Sequence, residues 1–359
     1  MVQSIKEAQT LGQVVQVAKN SLKNESWNWL VGGAETESTL KRNRQSLDQL
    51  AFRPKVLRSV DQIDTTTKLF GKNSRLPIFL APIGGLVELN PMGSIAPAKA
   101  AEEFGVSCFV SSVSEPGMEP TIKQTGGNLI YQLYVRGDDR WVINQLDRAT
   151  ELGYSAFCVT VDSAHYGRRE RDKLSGYTPP ARRTPKGAKY QAHLNWELIK
   201  KIRSKTKLPI ILKGIATVED ALISIDHGID IIYISNHGGR QLDFGLGTTT
   251  ILTEIINTTK NHCEVYVDGG FYRGTDILKA VCLGASAIGL GRLYGYGMAA
   301  DGVNGIVRVL EILEEEIINA MANLGATTLS ELNKDLICKS DSVAEPTAFS
   351  AFLPVKILY

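Results

Sequence analysis

"IDIIYISNHGGRQLD", residues 229–243, opens on a nearly unbroken apolar run and ends by delivering an imidazole, two glycines and an arginine. A run that is apolar at successive positions reads as a strand covered on both faces, as parallel strands are. A buried strand and a turn explain the glycines but do not require His237 or Arg240. Seven further runs share this character: "PIFLAPI" (77–83), "VSCFVSS" (106–112), "NLIYQLYV" (128–135), "AFCVTVD" (156–162), "PIILKGI" (209–215), "VYVDGG" (265–270) and "ASAIGLGR" (285–292). Helix-length stretches lie between them, among them "DDRWVINQLDRATELG", "ATVEDALISIDHG" and "GTDILKAVCLG", and these end in Gly as helices often do. Alternation of this unit over about 220 residues predicts an α/β fold, a closed (β/α)8 TIM barrel; an open doubly wound sheet is the alternative for the same elements.

The remaining chain frames that barrel. Residues 1–75 read as a helical lead-in, 76–323 as the barrel and 324–359 as a C-terminal extension, all in one domain of 359 residues. The formal charge is +2 with dispersed basic residues, which argues against nucleic acid or an anionic membrane as partner. Five cysteines, Cys108, Cys158, Cys263, Cys282 and Cys338, form no CxxC and no metal-ligand spacing, so a metal site is not expected. Reduced cysteines and the lack of an N-terminal signal pattern give the expectation of a soluble cytoplasmic protein.

Active groups of a barrel enzyme sit at the carboxyl ends of the strands. Polar residues gather there: Gln132 and Tyr134, Thr160 and Asp162, Lys213, then Ser235, Asn236 and His237, then Asp268, and finally Arg292. Each alone has an ordinary structural role available, such as a core phenol, a helix cap or an ion-pair partner. Together they surround one point. Gly269 and Gly270, with Gly291 and Arg292, have the composition of a barrel phosphate site, where backbone N–H groups and a guanidinium meet an anion. A histidine oriented by a carboxylate is a general base tuned near neutral pH, and two arginines clamp a carboxylate. His237, Asp162, Arg169 and Arg240 therefore describe proton or hydride removal beside a carboxylate. No GxGxxG follows a strand, so a mononucleotide suits the electron acceptor better than NAD.

The chain resembles the FMN-dependent 2-hydroxy acid oxidases and dehydrogenases, the glycolate oxidase and lactate oxidase group. The resemblance is carried by "SNHGGRQLD", "GGAE" near residue 33, "FRP" (52–54), "QLYV" (132–135), "TVD" (160–162), "GRRERD" (167–172), "LKGI" (212–215), "DGG" (268–270) and "GR" (291–292). It implies FMN as cofactor, O2 as acceptor with release of hydrogen peroxide, a small 2-hydroxy acid of the lactate or glycolate type as substrate, and a homotetramer. His237 would be the base, Asp162 would stabilise its imidazolium, and Arg169 and Arg240 would bind the carboxylate. Tyr134 would bond the substrate, and Lys213 would stand by the flavin N1 and O2 edge. Pro82, Ile83 and Gly84, with Ser111, Gln132, Thr160, Ser235 and Asp268, match flavin-contacting positions. The stretch Gly269, Gly270, Phe271, Tyr272 and Arg273, with Gly291 and Arg292, would hold the phosphate.

Three departures concern the two ends of that site. Trp29 stands where the family has a substrate-facing tyrosine, and it can donate one N–H but cannot accept. Tyr272 stands where the family places a phosphate-binding arginine, with Arg273 next. The segment "KLSGYTPPARRTPKGAKYQAHLNW" is shorter than the family's insertion and reads as a lid or a solvated loop. Rival readings are a bulkier aryl or amino-acid-derived acid, electron transfer to a carrier, and a non-catalytic flavin scaffold. Four converging polar groups speak against the scaffold. The apolar tail "AFSAFLPVKILY" would serve a subunit contact or cover the barrel.

Overall fold

The computed structural model describes residues 4–179, 183, 187–259 and 262–353. All eight sequence runs form strands: β1 (Ile78–Leu80), β2 (Ser107–Ser111), β3 (Asn128–Leu133), β4 (Ala156–Thr160), β5 (Ile210–Ile215), β6 (Ile231–Ile234), β7 (Glu264–Asp268) and β8 (Ala287–Leu290). Each is parallel to its neighbours, and β8 pairs with β1 through Ile288 and Ile78, which closes the barrel and excludes the open sheet. Except for β5, which runs to Ile215, the strands end earlier than the apolar runs do, because their last residues leave the ladder to enter the site.

Side chains alternate across each strand, and both sets are apolar for different reasons. Phe79, Phe109, Ile130, Cys158, Ile211, Tyr233 and Tyr266 fill the barrel interior. Ile78, Leu80, Val110, Leu212 and Ile232 face the outer layer of helices. A hairpin of Thr67–Leu69 with Lys72–Ser74 lies in the lead-in, and its Leu69 and Phe70 pack on the interior cluster. The Phe70 ring meets Phe109 and Tyr266 edge-on at 5.9 and 5.5 Å. That end of the barrel is filled.

The lead-in carries helices α1 (Leu11–Ser21), α2 (Asn24–Val31) and α3 (Ser38–Asp48), as expected, and a strand at Leu50–Phe52 that was not. This strand pairs antiparallel with Ile337–Lys339, so the two extensions meet. In the tail, Phe349 stacks on Trp27 at 5.9 Å and Phe352 packs on Tyr272 at 5.5 Å, so the described part covers the barrel. Residues 354–359 of the tail, and 180–182 and 184–186 of the expected lid, lie outside the described residues.

Helix α3 fixes the loop after β7. Arg44 is buried and donates to both oxygens of Asp276 at 2.6 and 2.7 Å and to the Gly270 carbonyl at 3.0 Å. Asp276 also accepts from the backbone N–H groups of Tyr272 and Arg273. Burial pushes the Asp276 carboxyl up, and the Arg44 charge and hydrogen bonds more than offset this and hold it below the ordinary carboxylate range. Asp276→Ala leaves a buried guanidinium short of its partner and is expected to cost about 3 kcal/mol or more, read by equilibrium denaturant unfolding.

Candidate active site

Past Ile234 the chain turns through His237, Gly238 and Gly239, all left-handed with φ of 59°, 63° and 73°. A Cβ on Gly239 would lie 2.6 Å from the Leu40 backbone nitrogen of α3, so the close approach demands glycine. His237 has a Cβ and pays local strain for this conformation, as residues at functional sites do. The surrounding loops are stitched to the turn: the Ala34 N–H donates to the Gly239 carbonyl at 2.8 Å, and the Gly167 N–H to Gln241 Oε1 at 2.7 Å. Arg171 and Glu37 form a two-point ion pair at 2.6 and 2.8 Å. The motifs "GGAE", "GRRERD" and "SNHGGRQLD" thus become one surface.

At its centre His237 Nδ1 lies 3.0 Å from Asp162 Oδ1, and Nε2 lies 3.0 Å from the Tyr134 hydroxyl. With Nδ1–H donating to Asp162, Nε2 keeps its lone pair and accepts from Tyr134. Ser163 Oγ also donates to Asp162 Oδ1, at 3.0 Å. Burial is the main influence on His237 and holds it below its ordinary value; Asp162 opposes this, and Lys213 and Arg169 reinforce it. Burial would raise Asp162, yet His237 and Lys213 outweigh it and keep the carboxyl below its ordinary value. The resting pair is a neutral imidazole beside an ionised carboxylate. Burial pushes the Tyr134 phenol up, so it stays protonated as a donor.

Of the four arginines that line the same cavity, Arg169, Arg240 and Arg292 lie together, and among the described residues no carboxylate lies within ion-pair distance of any of these three. Arg240 and Arg292 donate to the Gly32 carbonyl at 2.7 and 2.8 Å, and Arg292 also to the Leu30 and Gly238 carbonyls. Arg169 donates to the Arg240 carbonyl and to the Tyr166 hydroxyl. Burial first, and mutual repulsion second, hold Arg240 well below its ordinary value. Such a cluster is stabilised by an anion.

The cavity has a volume of about 510 Å³. Of the residues expected from the sequence, Trp29, Pro82, Ile83, Gly84, Tyr134, Arg169, Lys213, His237, Arg240, Asp268, Gly269, Gly270, Phe271, Tyr272, Gly291 and Arg292 line it. Ser111, Gln132, Thr160 and Ser235 are buried beneath. There Lys213 Nζ donates to Ser235 Oγ at 2.9 Å, and Ser235 donates to Asp268 Oδ1 at 2.7 Å. The structure does not bring Arg273 to the cavity: its guanidinium pairs with Glu316 at 2.5 Å, because the residue caps the helix that follows β7 and faces that neighbour. Arg292 is nearer the carboxylate arginines than expected, since it shares the Gly32 carbonyl with Arg240.

Several lining residues were not singled out from the sequence. Val113, Arg136, Ser163, Tyr166, Pro179 and Gln191 belong to the wall, and Gln191 ties the ends of two strands by accepting from the Val135 N–H and donating to the Thr160 carbonyl. Tyr166 and Ser163 stand beside motif residues and adjacency was their only signal. Pro179 and Gln191 come from the segment expected as a lid.

A family model described as FMN-dependent dehydrogenase matches residues 18–339. The chain belongs to this FMN-dependent family. It is 35% identical over 352 residues to glycolate oxidase 3 of Oryza sativa subsp. indica, covering 91% of this chain and 96% of that one. It is also 35% identical over 341 residues to 4-hydroxymandelate oxidase of Amycolatopsis orientalis, covering 89% and 95%. A solved structure of mandelate oxidase with benzoyl-formic acid superposes with a TM-score of 0.87 at 34% identity, covering 94% of this chain and 100% of that one.

The cavity suits the family's cofactor. Gln132 is fully buried and gives its Nε2 to Thr160 at 2.8 Å, while its Oε1 accepts no hydrogen bond among the described residues. A ring imide N–H, such as the isoalloxazine carries, satisfies an acceptor of this kind. Lys213 adds a buried cation on the cavity wall. Were the phosphate to lie at the Gly269–Gly270 turn, as the sequence resemblance implies, Tyr272 and the Glu316-paired Arg273 would supply it no cation, and Tyr272→Arg is expected to tighten FMN binding, measured by flavin fluorescence on titration of apoprotein.

The acid limb of kcat/KM reports the base of the free enzyme. Because His237 is held below 6.5, that limb is expected below pH 6.5, with activity lost as pH falls through it. Asp162→Asn removes the charge that raises His237, so the limb should move to lower pH while turnover drops; pH–rate profiles of both proteins decide.

Proposed function

We propose that the substrate of this FMN-dependent 2-hydroxy acid oxidoreductase is a small 2-hydroxy acid of the glycolate or L-lactate type, converted to the 2-oxo acid with O2 as acceptor and hydrogen peroxide as product; the family comparisons support this reading. The observation that carries this is the convergence of the His237–Asp162 pair with Arg169 and Arg240 on one cavity. In this reading the two arginines fix the carboxylate and thereby bring the α-carbon and its hydroxyl near His237 Nε2. Nε2 takes a proton from the substrate, and Asp162 Oδ1 stabilises the imidazolium that results. Tyr134 holds the oxygen on which charge changes, its O–H being a neutral donor. Bound FMN supplies the acceptor for the electron pair leaving the α-carbon, and O2 with two protons carries that pair away as hydrogen peroxide. Lys213, Ser235, Gln132 and Thr160 would hold the ring, and Asp268 with the Gly269–Gly270 turn the chain and phosphate.

A bulkier acid is the second reading. Trp29, Leu30, Ile83, Val113 and Pro179 give the cavity an apolar wall, and the mandelate and 4-hydroxymandelate oxidases are similar proteins that carry aryl acids in their names. Assembly as a homotetramer in the cytoplasm completes the proposal. The five cysteines are all free, which suits a reducing compartment, while plant relatives are named as peroxisomal.

Anaerobic mixing of the yellow holoprotein with glycolate, L-lactate and (S)-mandelate should bleach the flavin with the preferred acid, and air should restore the colour with release of peroxide. Flavin that stays oxidised with every acid would favour the scaffold. His237→Ala should slow bleaching by about 100- to 10,000-fold. Trp29→Tyr should raise turnover of glycolate or lactate, and an unchanged rate would remove Trp29 from the substrate-facing set.

A further inference from the structure

We propose that Ser163 is a positioning residue for the base: its hydroxyl shares one oxygen of Asp162 with His237 and thereby limits how strongly that carboxylate stabilises the imidazolium. The inference deepens the 2-hydroxy acid reading and rests on it. Ser163 follows Asp162 beyond the end of β4, is nearly buried and lines the cavity. Its Oγ lies 3.0 Å from Asp162 Oδ1 and 3.3 Å from His237 Nδ1, and Nδ1 lies 3.0 Å from the same Oδ1. The three atoms close a triangle.

Chemistry assigns the protons within it. An ionised carboxylate only accepts, so the hydroxyl and Nδ1 both point a proton at Oδ1. The Ser163 proton is thereby used, and its oxygen accepts the longer branch of the Nδ1–H bond. That branch exists whether the imidazole is neutral or charged, because Nδ1 carries a proton in both forms, so it favours neither. The donation to Asp162 does discriminate. It disperses carboxylate charge that would otherwise act on the imidazolium. Asp162 Oδ2 is buried and accepts no hydrogen bond among the described residues, so Oδ1 is the oxygen for which Ser163 and His237 compete. The other titratable or charged groups facing the pair are Tyr134 at Nε2, Lys213 from β5 and Arg169 from the loop after β4. Lys213 gives its hydrogen bond to Ser235. A serine that merely held Asp162 in place would, once removed, loosen the pair and send the His237 titration down, as Asp162→Asn does. Loss of a competing donor sends it up, so the sign separates the two roles.

The test compares FMN-loaded wild-type, Ser163→Ala, Ser163→Cys and Ser163→Thr proteins by two pH titrations. One follows kcat/KM for the 2-hydroxy acid that the wild-type protein turns over. The other follows the His237 imidazole by nuclear magnetic resonance in protein carrying isotope-labelled histidine, without substrate, the signal being assigned by its loss in His237→Gln. Ser163→Ala and Ser163→Cys should move both titrations to higher pH. On the acid side kcat/KM, relative to its own plateau, should fall about 2- to 10-fold below wild type, the span of one net hydrogen bond. Ser163→Thr keeps the hydroxyl and should stay with the wild type. Ser163→Cys keeps the volume while losing the strong donor, and it decides alone if the alanine protein does not load FMN. Titrations that stay in place or move down overturn the proposal, as does a Ser163→Thr titration that follows Ser163→Ala. Wild-type protein that no 2-hydroxy acid reduces overturns the functional reading instead, and the imidazole titration still decides for Ser163.

Discussion

The site depends on how three like charges are kept side by side. Arg240 and Arg292 rest on the carbonyls of Leu30 and Gly32 at the C-terminal end of α2, and Arg169 rests on the Arg240 carbonyl. Helix C-termini carry partial negative charge, enough to orient a guanidinium but not to neutralise it. A carboxylate in that place would have satisfied the arginines and ended their use. Held by carbonyls and aromatic neighbours rather than by carboxylates, they stay short of negative charge until an anion arrives, and this links the lead-in helix to the barrel's chemistry. The lead-in is therefore part of the active site rather than an appendage to it.

Much of this was legible in the chain. The barrel could be read because a strand covered on both faces has to be apolar at every position, so "IDIIYIS" and its seven counterparts announce themselves. The catalytic ring could be read because barrel geometry assigns strand ends to one rim, which put His237, Asp162 and Lys213 together before any distance was known. What escaped depended on side-chain direction or on pairing between distant segments. Arg273 carries the right charge one residue from the expected place, and Glu316, more than forty residues later, decides where it points. The pairing of Leu50–Phe52 with Ile337–Lys339 joins two short segments of weak strand character whose register only the assembled barrel supplies. Tyr166 was passed over because a single tyrosine beside a motif has no periodic signature. Its place in the wall appears once Arg169 is seen lying on it.

In the proposed reading, the substrate end and the cofactor end of the cavity differ in how tightly their groups are tied together. Around Lys213, Ser235 and Asp268 the groups form a buried chain of hydrogen bonds, Tyr233 adding a further donor to Asp268 at 2.7 Å, and any change there leaves a partner unsatisfied. Around Trp29, Val113 and Tyr166 the wall is made of separate side chains that face an open cavity. Selectivity can drift there without disturbing the machinery behind it. This accounts for a chain that keeps its signature intact and varies its aromatic residues near the mouth.

The hairpin that drives Phe70 against Phe109 and Tyr266 closes one end of the barrel interior. Among the described residues the cavity lies at the opposite rim, so the packed interior is a floor beneath the site rather than a channel through the barrel, and the site's shape is left to the loops that follow the strands.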